Sequence, residues 1–271
     1  MAALKGPSLI NGSSRPPLWR EARLGIEAAA LLRDPVLRGH GLRGGRGRPV
    51  LLIPGFLAGD ASLGPMAGWL KRAGYRPTRA GMRANVDCSG TLVPKLEERL
   101  ERVVQERATR AVVIGQSRGG ALAKVLAVRR PELVAGIITL GSPQLAPLAV
   151  HPLVRIQVHA VGALGSLGAP GLFRRSCVDG ECCADFWNQL AGPLPAEVKL
   201  VAVYSRSDGI VDWRACLDPS ADVQVEIASS HLGMAVSPAA WRAVAGAMDR
   251  FARAEARRRP APHVRRLRHA A

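Results

Sequence analysis

The sequence predicts an α/β fold with a mainly parallel sheet. Three observations carry that prediction. Short apolar runs end abruptly at Gly or Pro and alternate with amphipathic stretches of helical spacing. One run, "AVVIG", leads into a serine between glycines and then directly into a helix-forming stretch. An aspartate and a histidine follow two later apolar runs. Alternating strands and helices build sheets whose strands are buried on both faces, which explains why the runs are continuously apolar.

"PPLWREARLGIEAAALLRDP" (Pro16–Pro35) has apolar residues at helical spacing and a proline stop. It reads as a helix packed on the outside of the domain. The Gly/Arg stretch "RGHGLRGGRGRP" follows as a linker. "VLLIPGFLAGD" reads as a buried strand ending at Pro54-Gly55, and "SLGPMAGWLKRAGY" as a helix closed by Gly74. "YRPTRAG" predicts an edge strand, because Pro77 cannot donate to a ladder. "LVPKLEERLERVVQER" is an amphipathic helix. "AVVIG", "GIITLGSP", "KLVAVYSRSDG" and "VQVEIASSHLG" are further strands, and "PAAWRAVAGAMDRFARAEARRR" is the closing helix.

One interval breaks the alternation. More than fifty residues separate "LGSP" from "KLVAVY", and Leu153–Phe173 within it is largely apolar. This predicts a helical, lid-like insertion over about 143–197. The expected organisation is an N-terminal arm and helix over 1–48, a main domain over 49–252, and a basic tail over 253–271.

The 271 residues carry a formal charge of +17. Residues 1–48 contribute +6 and residues 253–271 another +6, leaving +5 for the middle. The excess is terminal, and no aromatic interleaving accompanies it, so nucleic acid is not an expected partner. The Arg-rich tail is expected to give weak peripheral attraction to anionic membrane surfaces. The first twenty residues hold Pro16 and Pro17 and no apolar core of a leader, so a cytoplasmic location is expected.

Five cysteines are present: Cys88, Cys177, Cys182, Cys183 and Cys216. "SCVDGECCADFW" has no standard zinc spacing, and no metal is expected. Two readings stand: free or buried thiols, or a bridge from Cys216 to one of Cys177, Cys182 and Cys183.

Gly115-Gln116-Ser117-Arg118-Gly119 matches G-x-S-x-G in its required context, after a buried strand and before a helix. A sharp strand-to-helix turn strains the serine backbone, so residues two positions either side must lack bulk. The turn aims the Arg118 N–H and the helix N-terminus at one spot, where negative charge is stabilised. A serine nucleophile needs a base, and the base an orienting acid. Asp208, in "VYSRSDGIVDW", and His231, in "EIASSHLGM", follow in that order at strand ends. Asp212 is the rival acid. His40, His151, His159, His263 and His269 lie in the linker, the insertion or the tail. The loop after the first core strand supplies the second oxyanion donor, the N–H of Phe56, with Leu57 behind it.

Together "LLIPGFLAGD", "VVIGQSRGGALAKVLA", "LGSP", "VYSRSDGIVDW" and "SSHLGM" resemble the α/β-hydrolase superfamily, and within it bacterial lipase/esterase-like members. The resemblance spans about Arg48 to Arg253. It implies an α/β-hydrolase fold and hydrolysis of small-molecule or lipid esters without a cofactor. It implies Ser117 as nucleophile, Asp208 as acid, His231 as base, and Phe56 and Arg118 as backbone donors. Many members have His-Gly where this chain has Pro54-Gly55, so the oxyanion loop is expected to differ in shape. The superfamily also holds acyltransferases and non-catalytic binding proteins.

Overall fold

The computed structural model describes residues 16–178, 180 and 182–258. A 3-10 turn, Leu18–Arg23, leads into α1 (Leu24–Arg33). There follow β1 (Pro49–Ile53), α2 (Gly64–Arg72), β2 (Arg76–Arg79), α3 (Ser89–Gln105), β3 (Ala111–Gln116), α4 (Arg118–Arg129) and β4 (Val134–Leu140). The insertion contributes α5 (Pro152–Ser166), α6 (Arg175–Val178) and α7 (Ala184–Ala191). The described chain closes with β5 (Lys199–Tyr204), β6 (Val223–Glu226) and α8 (Pro238–Arg257).

The six strands form one parallel sheet in the order β2-β1-β3-β4-β5-β6. The Pro77 strand sits at one edge, as its missing donor requires. Every residue of β1, β3 and β4 is buried, while β6 at the other edge alternates between half-buried and exposed.

Strand alternation divides the core in two. Val50, Leu52, Val112 and Ile114 face one side, where Trp69 of α2 stacks on Trp241 of α8 with ring centres 4.7 Å apart. Leu51, Ile53 and Val113 face the other, where α3 lays Leu92, Leu96 and Leu100 against them at one-turn intervals.

The order places the chain's reversal between β1 and β3: β2 pairs on one flank of β1, and β3 returns to the other. Loops leaving the carboxyl ends of two such strands diverge and leave a crevice. The loops after β1 and β3 carry Phe56 and Ser117.

No helix among the described residues is long and apolar enough to cross a membrane. Most of the basic tail, with His263 and His269, lies outside the described residues, as does the start of the N-terminal arm.

Candidate active site

Ser117 stands between β3 and α4 with φ 51° and ψ −124°, a conformation costly for a residue with a Cβ. Close approach explains the flanking glycines. A Cβ on Gly115 would lie 2.3 Å from the Gly119 carbonyl oxygen, and one on Gly119 would lie 2.2 Å from that of Ile53. The Arg118 N–H is the first of α4, where no carbonyl of the helix can reach it. The loop after β1 crosses close by: a Cβ on Gly55 would sit 3.2 Å from the Ser117 Cβ. Phe56, next in that loop, bridges Asn85. The Asn85 amide nitrogen in turn donates to the Pro54 carbonyl at 2.8 Å. The chain therefore braces its Pro54-Gly55 loop from the side, through Asn85.

Asp208 and His231 lie in the loops after β5 and β6 and meet at 2.7 Å, Asp208 Oδ2 to His231 Nδ1, both buried. Asp208 Oδ1 accepts the N–H groups of Ile210 and Val211 at 2.8 and 2.7 Å, which fixes the carboxylate. With the carboxylate accepting this bond, Nδ1 would carry the proton and Nε2 would keep its lone pair. Burial works against charging His231, but the charge and hydrogen bond of Asp208 and the charge of Glu21 outweigh it, so its pKa is raised. The Gln116 side chain donates to the His231 carbonyl at 3.1 Å, anchoring the histidine loop beside Ser117. Ser117 and His231 form no mutual hydrogen bond among the described residues. Such pairs are often long before substrate arrives.

Asp212, the rival acid, accepts the N–H and a guanidinium nitrogen of Arg214 and starts the short turn Trp213–Cys216. His151 accepts the Leu153 N–H at the start of α5. Cys216 is a free, buried thiol, so the bridge to Cys177, Cys182 or Cys183 is not formed. Burial beside Asp208 and Asp212 pushes its thiol pKa up, a setting that keeps it protonated.

Ser117 opens onto a cleft that is open to solvent. Its walls are mostly apolar: Phe56, Val154 and Val158 of α5, Phe173, Phe186 and Ile210. The Arg118 side chain passes under this wall, 5.4 Å from the Phe173 ring centre. Burial pulls its guanidinium down to about 10, which leaves it cationic at neutral pH.

Two functional supports were not anticipated from the sequence. Glu21, in the turn before α1, accepts the N–H groups of Gly209 and His231 at 2.9 Å and of Leu232 at 2.8 Å. Glu27 of α1 is buried and accepts the Ser230 N–H at 2.9 Å and the hydroxyls of Ser229 and Ser230 at 3.1 Å. The turn before α1 thus holds the loops of both Asp208 and His231, and α1 adds a second hold on the His231 loop.

The sequence matches no protein-family model and no curated protein. The fold does have solved counterparts. A metagenomic carboxyl esterase aligns at TM-score 0.58 and 14% identity over 76% of each chain. A soluble variant of the Saccharomyces cerevisiae monoglyceride lipase, complexed with a substrate analogue, aligns at TM-score 0.53 and 15% identity. That match covers 78% of this chain and 87% of the lipase. The mature Bacillus licheniformis lipase BlEst2 aligns at TM-score 0.52 and 14% identity over 72% and 89%. The parallel sheet, its strand order and these likenesses agree: the chain has the α/β-hydrolase fold.

Proposed function

We propose that this chain is a serine hydrolase of carboxylic esters, with a preference for lipophilic acyl groups. One observation supports the reading above the rest. Asp208 and His231 form a buried pair, the His231 loop is anchored to Gln116, the neighbour of Ser117, and Ser117 sits on a strained strand-to-helix turn at the head of an apolar cleft. Solved structures of the same fold include esterases and lipases.

In this reading, substrate enters with its acyl chain along α5 and Phe186 and its carbonyl at Ser117. His231 Nε2 takes the hydroxyl proton as Oγ attacks, and Asp208 holds the imidazole in the productive tautomer and stabilises its cation. The carbonyl oxygen gains charge and is held by the N–H groups of Arg118 and Phe56 and by the positive end of α4. Collapse expels the alcohol, which receives the proton from His231, and leaves an acyl group on Ser117. Water, deprotonated by His231, then releases the acid.

The test is hydrolysis of p-nitrophenyl esters from acetate to palmitate by the wild type and Ser117→Ala. Loss of several powers of ten in the variant is the expected result. Equal rates in the two proteins would overturn the assignment. Added alcohol that diverts the acyl group to a new ester would redefine the enzyme as an acyltransferase.

A further inference from the structure

We infer that Cys88, Cys177, Cys182 and Cys183 form a tetrathiolate site for a divalent zinc ion, which pins the insertion to the loop before α3. Their four Sγ atoms lie within 4.8 Å of one another. Cys88 is 3.3 Å from both Cys177 and Cys183 and 3.9 Å from Cys182. Cys182 is 2.9 Å from Cys177 and 3.4 Å from Cys183. Zinc bonds thiolate sulfur at about 2.3 Å in a tetrahedron, which puts the sulfurs about 3.8 Å apart. Cys88–Cys182 already matches that spacing, three other pairs are about half an ångström short of it, and Cys182 must part from Cys177 by about 0.9 Å to admit the ion. The four sulfurs lie too close for an iron–sulfur cluster, which must hold several irons and sulfides between its cysteines. Cys182 stands nearest Cys177, which leaves Cys88 with Cys183 at 3.3 Å, so the arrangement that competes with a metal site is the disulfide division Cys177–Cys182 and Cys88–Cys183.

The surroundings suit metal-bound thiolates. Gly90, in the first turn of α3, packs against two of the sulfurs: a Cβ there would lie 3.7 Å from Cys88 Sγ and 4.0 Å from Cys183 Sγ. The Arg174 N–H donates to Cys177 Sγ at 3.4 Å. Backbone donors of this kind orient and stabilise ligating sulfurs. Cys182 is exposed and Cys177 and Cys183 are buried, so the site has one open side through which an ion can enter.

Charge supplies an independent argument. The Arg118 guanidinium spans the residues around Cys88. It donates to the Asn85 carbonyl and Oδ1 at 2.8 and 2.6 Å, to the Asp87 carbonyl at 2.7 Å and to Ser89 Oγ at 3.1 Å. All four acceptors are neutral, and the one carboxylate among the described residues whose charge supports Arg118, that of Asp87, lies beyond ion-pair distance. A buried cation needs a counter-charge. Zinc held by four thiolates carries a net charge of −2, and loading releases the four thiol protons. Arg118 and the anionic centre would each offset the other.

Position gives the site its consequence. Cys177 and Phe186 line the cleft, Cys183 directly precedes α7, and Cys88 directly precedes α3. The ion would make this end of the insertion a fixed wall instead of a hinged cover. The site stands whether or not Ser117 hydrolyses esters.

The test is elemental analysis of the full chain purified under reducing, chelator-free conditions. About one zinc per chain is expected. Cys88→Ser and Cys182→Ser should each lose it on dialysis against EDTA, while Cys216→Ala should keep it. Cobalt(II) added to the stripped wild type should show thiolate-to-metal charge transfer and the intense visible bands of a tetrahedral site. This readout does not depend on how the variants fold. Wild-type protein that binds neither zinc nor cobalt with its thiols free would overturn the site. So would a non-reducing mass showing two disulfides that persist in the presence of zinc.

Discussion

Glu21 accepts the backbone N–H of His231 at 2.9 Å, across 210 positions of sequence. The same oxygen takes the Gly209 N–H, next to Asp208. One carboxylate therefore spaces the two loops that carry Asp208 and His231. In the proposed mechanism its role is positioning. Glu21→Ala should destabilise the protein by about 2–3 kcal/mol, because three amide donors lose an ionised acceptor. It should lower kcat/KM by about 10- to 100-fold, chiefly in kcat, as the Asp208–His231 pair loosens. Glu21→Gln still offers an acceptor oxygen but removes a charge that raises the His231 pKa. It should keep most of the plateau rate and move the acid limb of the pH profile to lower pH. A purely structural role would leave that limb in place.

The pH dependence has opposite signs for activity and for stability. In the proposed mechanism His231 must be neutral to act, and its pKa is raised above 6.5. Activity should therefore fall as pH drops through a midpoint above 6.5, with a log–log slope of about one. Stability runs the other way. A histidine whose folded pKa is raised contributes fully below its unfolded value, and the contribution fades as pH rises through the folded value. Denaturant unfolding of the wild type beside His231→Gln, repeated across the neutral range, should show a gap that narrows as pH rises. In Asp208→Asn the largest raising influence is gone and burial dominates. The acid limb should shift down while the rate falls by several powers of ten.

How far the sequence alone reached follows from the range of each interaction. The turn at Ser117 was legible because its constraints are local: a buried strand, two glycines and a helix within a dozen residues. β1, β3 and β4 were legible because burial on both faces leaves near-continuous apolar runs. β6 is shorter than its apolar stretch suggests, because the chain after Glu226 turns inward to carry His231. Glu21 and Glu27 were not legible. Their partners are backbone amides and hydroxyls about two hundred residues away, and in sequence both look like ordinary polar positions of an amphipathic helix. The cysteine cluster was hidden for a similar reason. Spacing rules for metal sites look for close pairs, and Cys88 stands 89 positions before Cys177. Arg118 was read for its backbone donor alone, whereas its side chain organises the loop on which Cys88 sits.

A buried ion pair ties α4, the helix after Ser117, to the loop between β5 and β6. Lys124 of α4 meets Asp218 at 2.7 Å, with side chains only 4% and 1% exposed. Removing one partner leaves the other charge buried and uncompensated. Lys124→Met should cost about 3–5 kcal/mol, read as a lower denaturant midpoint. Lys124→Met with Asp218→Asn should recover part of that loss, because no unpaired charge remains. Lys124 is not among the residues lining the cleft, so KM in the folded variants should change little.

The insertion's part in choosing the acyl group can be tested from one side of α5. Val154 and Val158 face the cleft, while Leu153 and Ile156 are more than half exposed. Val158→Trp should fill the space an acyl chain needs beyond its first few carbons. Each methylene denied a buried place forgoes about 0.8 kcal/mol, so four of them amount to about 3 kcal/mol. The ratio of kcat/KM for palmitate over butyrate esters should therefore fall by about 100-fold, with acetate hydrolysis nearly unchanged. An equal fall for acetate would mean that Trp disturbs Ser117 itself. An unchanged ratio would mean that the acyl chain takes another path and that α5 is packing alone. Ile156→Ser, on the outer face of the same helix, separates the two roles. It should leave the profile for dissolved esters as it was, since its side chain meets solvent and not the cleft.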